Sequence, residues 1–354
     1  MKIKFFLSPY IKAEKANYQH NAVVLAEGFD SLGIEYCGNI NYWYNKNDYL
    51  IKENKNTSSD ISIFTSNYIL DDPEKLNCLP KSFNVLIDSM DGLETLAFSH
   101  SKYFDLVLRT HFNTYISYSK NVKPWIFGLS NRIIEAINYS ENNKIKDQIF
   151  INYRVEHGVR NEAINGLKGI RQKKYDFFQE ITSPLMDVKD FEQSSLYNQS
   201  GRRHDPRYFD LLNQSRFTFA FGGEKALKPM RVNSNYEKLR RKVYLINNAL
   251  QRRNINIFDS YFIYQFDSWR LWESFYSNSI PITLDLKMYR HMLPIMPENF
   301  EHYIGIRDLS SAKEWKQIVN LPEYKLADIS RNGTNWVIEN YSPQQTAKLF
   351  LSSL

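Results

Sequence analysis

The chain is 354 residues long, 43% hydrophobic and 15% aromatic, with a formal net charge of +6. This composition excludes a disordered polymer and supplies apolar side chain for two domains of ordinary size. The two cysteines, Cys37 and Cys78, exclude a disulfide scaffold or a cysteine-rich metal site and suit a reducing cytoplasm, and no apolar run approaches the length of a bilayer span.

The opening MKIKFFLSPYIKAEK has too short an apolar core for a signal peptide and reads as a first strand, Ile3 to Leu7. An amphipathic helix is expected from Asn17 to Leu32, with Val23, Val24, Phe29 and Leu32 inward and Gly33 just past its last turn. Strands follow at Glu35–Ile40, Asp60–Thr65, Phe83–Ile87, Leu106–Leu108 and Trp125–Phe127. Several are short and wholly apolar, as strands buried on both faces of a parallel sheet are. The polar stretch from Asn138 to Gln148, NYSENNKIKDQ, reads as an interdomain linker. A second series then begins: strand IFINYR from Ile149, a helix from Arg160 to about Ile170, a strand near Ile181, a helix Tyr208–Gln214 and a strand Phe217–Phe221. Residues 224–256, rich in Lys, Arg and Asn, interrupt the pattern as an insertion or helical excursion. A strand at Tyr303–Ile306 and helices near Ala312–Val319 and Ala327–Ser353 close the chain. This alternation is β-α-β logic. It predicts an α/β protein of two Rossmann-like, doubly wound domains, residues 1–140 and 149–335, with 336–354 as a closing helix set to pack back on the first.

The segment from Tyr264 to Asp285, YQFDSWRLWESFYSNSIPITLD, carries the most information. Trp269, Trp272, Phe275 and Tyr276 recur at helical steps, Asp267 or Ser268 is placed to cap the helix, and Ile280 to Leu284 reads as the next strand. Arg270 and Glu273 then share a turn near a helix N-terminus, where free N–H groups attract anions. The alternative is an ordinary i,i+3 ion pair on a buried helix. The segment resembles the donor-binding signature of GT-B glycosyltransferases, most closely the exostosin-like branch, with Ser268, Arg270, Leu271, Trp272, Glu273, Ile280, Pro281 and Ile282 in the matching places. The resemblance extends upstream to DPRYFDLLNQSRFTFAFGG (Asp205 to Gly223) and to the tail RNGTNWVIENYSPQQTAKLFLSSL, about half of the chain. It implies GT-B architecture, two such domains facing across a cleft, and a nucleotide-sugar donor held by Asp267, Ser268, Arg270 and Glu273. Two positions depart from the pattern: Asn278-Ser279 precedes Ile-Pro, and Gln265 stands where many retaining enzymes carry a sugar-contacting glutamate, which favours an inverting mechanism.

In facing doubly wound domains, ligands bind at the carboxyl ends of the strands. In INYRVEHGVRNEA, Arg154 ends a strand and Arg160 enters the next helix. The resemblance gives this loop the donor diphosphate, whose growing charge on leaving cations and a helix N-terminus would stabilise; a surface pair of Arg154 with Glu156 is the alternative. Gly222 and Gly223 follow another strand, where two glycines permit close backbone approach or simply make a turn. An inverting transferase also needs a base for the acceptor hydroxyl in the first domain. Asp88, His111 and His20 are the candidates in that order, each readable instead as a structural hydrogen-bonding group. The acids are not clustered, so no metal and no other cofactor is expected. Lys238 to Lys242, KLRRK, with Arg252-Arg253 downstream, is a solvated helix face or a contact for anionic lipid.

Together these features predict a cytoplasmic transferase, in peripheral contact with the membrane's inner face or free of it, moving sugar from a UDP- or GDP-sugar. Its acceptor would be a saccharide or lipid-linked saccharide such as a growing surface polysaccharide, and the scattered positive charge speaks against nucleic acid. The rivals are a nucleotide-sugar epimerase of the same fold, a non-catalytic nucleotide- or sugar-binding protein, and a module binding membrane or nucleic acid through KLRRK.

Overall fold

A computed structural model of the chain describes all residues except 10–18, 46, 56–57, 92–95, 139–144, 154–157, 171–173, 180–190, 228–245, 247–249, 251–260, 265–266 and 278. The described strands, in chain order, are β1 (Ile3–Phe6), β2 (Tyr36–Gly38), β3 (Tyr42–Asn45), β4 (Asp48–Ile51), β5 (Ile61–Thr65), β6 (Phe83–Asp88), β7 (Leu106–Arg109), β8 (Val122–Pro124), β9 (Lys146–Ile151), β10 (Asp176–Gln179), β11 (Ser215–Phe219), β12 (Glu224–Leu227), β13 (Tyr261–Tyr264), β14 (Ile280–Leu284) and β15 (Ile304–Ile306).

Six of them make a parallel sheet ordered β2-β1-β5-β6-β7-β8, and five make a second ordered β10-β9-β11-β14-β15. Each is a doubly wound sheet whose strand order reverses beside its first strand, between β1 and β5 and between β9 and β11. The near-continuous apolar strands follow from burial on both faces. In the first sheet Phe5, Ile63, Val85, Ile87, Leu106 and Leu108 point to one core. Phe64, Leu86 and Val107, alternating with them, point to the other.

The first core runs on through the second domain, where Phe150, Leu271, Trp272 and Phe275 join it. Ile149, Ile151, Phe217, Phe219, Ile280, Ile282 and Leu284 build the separate core of the second sheet. The closing segment is two helices, Glu323–Tyr341 and Pro343–Ser353, divided where Pro343 opens the second. The last helix lies against the first, His20–Ser31, so closely that a Cβ on Gly28 would stand 2.1 Å from the Pro343 carbonyl oxygen. Phe29 meets Phe350 edge-on with ring centroids 5.7 Å apart.

Several expected boundaries shift. The first helix ends as expected, at a Gly33 with φ +67°. The expected strand Trp125–Phe127 falls three residues late: β8 ends at Pro124, and Trp125 donates once more to the Arg109 carbonyl (2.7 Å) before the chain leaves the sheet. Trp125, Ile126 and Phe127 are nonetheless buried, held through Asn21 on the Ile126 carbonyl and His20 on the Gly128 carbonyl; an apolar run registers burial, not strand geometry. The β3–β4 hairpin was not expected, although NKND between two aromatic runs supplies its turn, with Asn47 at φ 74°. The strand expected near Ile181 is β10, ending at Gln179. Of the 224–256 interruption, Glu224–Leu227 forms β12, paired antiparallel with β13 outside the main sheet; KLRRK and Arg252-Arg253 lie outside the described residues. No described helix is long and apolar enough to cross a membrane.

Candidate active site

The reversal of strand order between β9 and β11 opens a crevice at their carboxyl ends, where ligands of doubly wound sheets bind. After β9 come Asn152 and Tyr153, and after β11 Ala220 to Gly223, with Gly223 at φ +102°. The helix Gly158–Gly169 starts beside them. The signature helix spans Trp269–Tyr276, with Ser268 at its N-cap position. Ser268 makes no side-chain capping bond; its hydroxyl donates to the Ala220 carbonyl (3.5 Å), tying the helix start to the loop after β11.

Two arginines converge on this crevice. Arg160 donates through Nε to the Phe221 carbonyl (3.1 Å), and Arg270 donates to Asn152 Oδ1 (3.3 Å). Their guanidinium carbons lie 4.9 Å and 6.0 Å from the ring centre of buried Tyr153. Arg270 Nε is buried without a hydrogen-bond partner among the described residues. Leaving such a group unmet costs about 1–3 kcal/mol, which an anion's oxygen would recover. Arg154 lies outside the described residues.

Arg270 and Glu273 form no ion pair with each other among the contacts of the described residues; the signature helix turns them to different partners. Glu273 is buried and accepts from the Tyr208 hydroxyl (2.7 Å), on the helix Pro206–Gln214. Tyr208's own ionisation is pushed far up by burial and by the Glu273 charge, so it stays a donor.

Across the cleft, β6 and β7 end in a second polar group. Asp88 and Arg109, both fully buried, pair at 3.3 Å, and Arg109 also donates to the carbonyls of Asp88 and Met90. His111 is buried two residues beyond β7. Its Nδ1 lies 3.0 Å from Asp267 Oδ1, and its Nε2 3.2 Å from Asp91 Oδ1. Burial alone would lower the His111 pKa, but the two carboxylates outweigh it and raise the value. Asp267 also accepts from Trp272 Nε1 (2.7 Å), and His291 Nε2 stands 3.7 Å from its Oδ1. Burial takes His291 down to about 4, so it is neutral at pH 7. Backbone bonds fasten the same region: Met292 N–H to the Phe112 carbonyl (2.9 Å) and Thr114 N–H to the Arg290 carbonyl (2.8 Å).

His20 sits apart from this group. It faces the Gly128 carbonyl (3.2 Å) and meets Trp269 edge-on at 4.4 Å. Burial first, then the charge of Arg132, lowers its pKa to about 3. The structure thus brings Arg160, Gly222, Gly223, Ser268 and Arg270 to one crevice. It links Asp267 to His111 across the cleft and encloses Asp88 with Arg109. Sequence reasoning passed over Asn152 and Tyr153, which it placed inside the strand that Arg154 was to end, and put Asp88 rather than its neighbour Asp91 among the candidate bases.

No protein-family model and no curated protein matches the chain. Among solved structures it is similar to an alpha-glucosyltransferase in complex with UDP and a 13-mer DNA containing a central A:G mismatch, at 11% identity and TM-score 0.54, over 100% of this chain and 99% of that one. The fold is GT-B. A glycosyltransferase from Rickettsia africae aligns over 99% of this chain and 97% of that one at 10% identity and TM-score 0.49. The T4 phage beta-glucosyltransferase aligns over 100% and 99% at 10% identity and TM-score 0.43.

Proposed function

We propose that the protein is a glycosyltransferase that moves a sugar from a UDP- or GDP-sugar to a saccharide acceptor, inverting the anomeric centre without a metal. The observation that carries this is the pair Arg160 and Arg270 about Tyr153 at the strand-order reversal of the second sheet, with Arg270 Nε lacking a partner among the described residues. Leaving-group departure puts charge on a nucleoside diphosphate. Fixed guanidinium groups and the start of the Gly158–Gly169 helix would stabilise that charge where it develops. The bound UDP named for the alpha-glucosyltransferase of like fold supports the choice of nucleotide. The acceptor reading, a saccharide or lipid-linked saccharide of a surface polysaccharide, rests on the family resemblance alone; the cytoplasmic place is read from the sparse cysteines and the membrane contact from KLRRK.

Calorimetry with UDP and GDP tests the donor crevice. One of them should bind, and Arg270→Ala should weaken it by roughly 10- to 100-fold, the equivalent of one charged hydrogen bond of about 1.5–3 kcal/mol. Wild-type protein that binds neither nucleotide overturns the proposal. Release of nucleoside diphosphate with glycoside formation separates a transferase from an epimerase, which yields free sugar, and from a binding protein, which yields neither. Turnover that persists in excess EDTA fits the metal-free mechanism; loss of activity restored by magnesium or manganese refutes that part.

A further inference from the structure

We infer that Asp91 is the group that takes the acceptor's proton, and that Asp267 positions it through His111. The inference rests on the transferase reading above and adds the reacting base to it. Three carboxylates surround His111 and Arg109: Asp88, Asp91 and Asp267. Asp88 and Asp267 are buried, whereas the Asp91 side chain is 86% exposed. Asp91 follows β6 on the loop that opens at the carboxyl ends of the first sheet, the side from which a hydroxyl would approach a donor held on the second.

The hydrogen bonds assign the protons. An ionised carboxylate oxygen only accepts, so an imidazole with one nitrogen on Asp267 and the other on Asp91 must donate from both and is an imidazolium. An imidazolium has no lone pair with which to take a proton. His111 is therefore a clamp: its Nε2–H fixes Asp91 and its Nδ1–H is fixed by Asp267. The charged groups facing it among the described residues include Asp91, Asp267 and Arg109, with neutral His291 behind Asp267. Asp267 lies just before the N-cap residue of the signature helix, three residues before Arg270. One turn of chain thus carries both the diphosphate contact and the carboxylate that orients the opposite wall.

In the step itself, Asp91 accepts the acceptor's hydroxyl proton as that oxygen bonds to the anomeric carbon. The bond from that carbon to the diphosphate oxygen breaks on the opposite face, and its electron pair leaves with the nucleoside diphosphate. The protonated Asp91 then releases its proton to solvent.

Asp91→Asn, at an exposed position where folding is not at stake, should leave UDP affinity unchanged. It should lower hydrolysis of UDP-glucose, with water as acceptor, by roughly 10²–10⁴-fold. Asp267→Asn should lower turnover less, leave the KM for UDP-glucose near wild type, and shift the pH profile. Asp91→Glu should recover part of the Asn loss. In ¹⁵N-histidine spectra, the His111 resonance, identified by its loss in His111→Asn, should show two N–H groups at pH 7. An Asp91→Asn protein hydrolysing UDP-glucose at the wild-type rate overturns the assignment. So does a His111 with a single N–H at pH 7, even where UDP-glucose is not turned over. Failure of UDP and GDP to bind wild-type protein removes the transferase reading instead, while the histidine spectra still report on the clamp.

Discussion

Glu273 shows how a side chain expected to face a ligand can be held by the scaffold instead. A carboxylate near a helix start could stand in solvent awaiting a ligand, but this one is buried on the Tyr208 hydroxyl. Glu273→Ala leaves that hydroxyl buried without its acceptor, so it should destabilise the protein by about 1–3 kcal/mol in urea unfolding. Glu273→Gln keeps an acceptor oxygen and should restore most of that stability. If Glu273 also binds the donor's sugar hydroxyls, both variants lose UDP-sugar affinity; unchanged affinity in both assigns the residue to the scaffold. Glu27 offers a second test, in pH. Its carboxyl accepts from the Asn131 N–H (2.8 Å), and burial raises its pKa to about 8. It stays protonated in the fold while an unfolded glutamate ionises, so the folded state binds the extra proton and stability falls as pH rises from the ordinary carboxylate range to about 8. The contribution is whole below that window and lost above it. Glu27→Gln keeps an acceptor for Asn131, and its stability relative to wild type should rise between pH 5 and pH 8. A constant difference across that range would show that Glu27 ionises normally.

Elements with strong local periodicity were legible from sequence, and those fixed by distant contacts were not. The signature helix and β14 fall where the Trp269–Trp272–Phe275 spacing and the Ile280–Leu284 run put them, because one helical face and one buried strand write themselves into short stretches of chain. The Ala312–Val319 helix is likewise found on its expected residues. The Asp267–His111 contact joins residues 156 positions apart, and no local pattern encodes it. Nor could periodicity show that the expected Ala327–Ser353 helix is two helices, although Ser342-Pro343 carried the signal for the break. The crossing of the first and last helices makes a clear prediction at this scale. Gly28→Val places a side chain where the Pro343 backbone stands, so the helices must separate. Overpacking of this kind costs about 1–3 kcal/mol, and the thermal midpoint should fall. An unchanged midpoint would mean that the two helices do not meet at Gly28.

For the whole molecule, fold class followed from β-α alternation, whereas the base proposed above could be singled out only in the assembled cleft, where Asp88 is buried against Arg109 and the Asp91 side chain is exposed. The placement of the Pro343–Ser353 helix on the first helix also has a consequence for how the protein comes into being. Ala347 and Phe350 belong to the same buried cluster as Phe5, Val23 and Phe29. Phe5 is made some hundreds of residues before Phe350, so the first domain cannot close its core until the ribosome has passed Phe350. Until then the emerging chain carries an open apolar face on its first helix. A nascent chain stalled before Pro343 should therefore be cut by protease within its first domain, and one extended past Leu354 by a linker should resist.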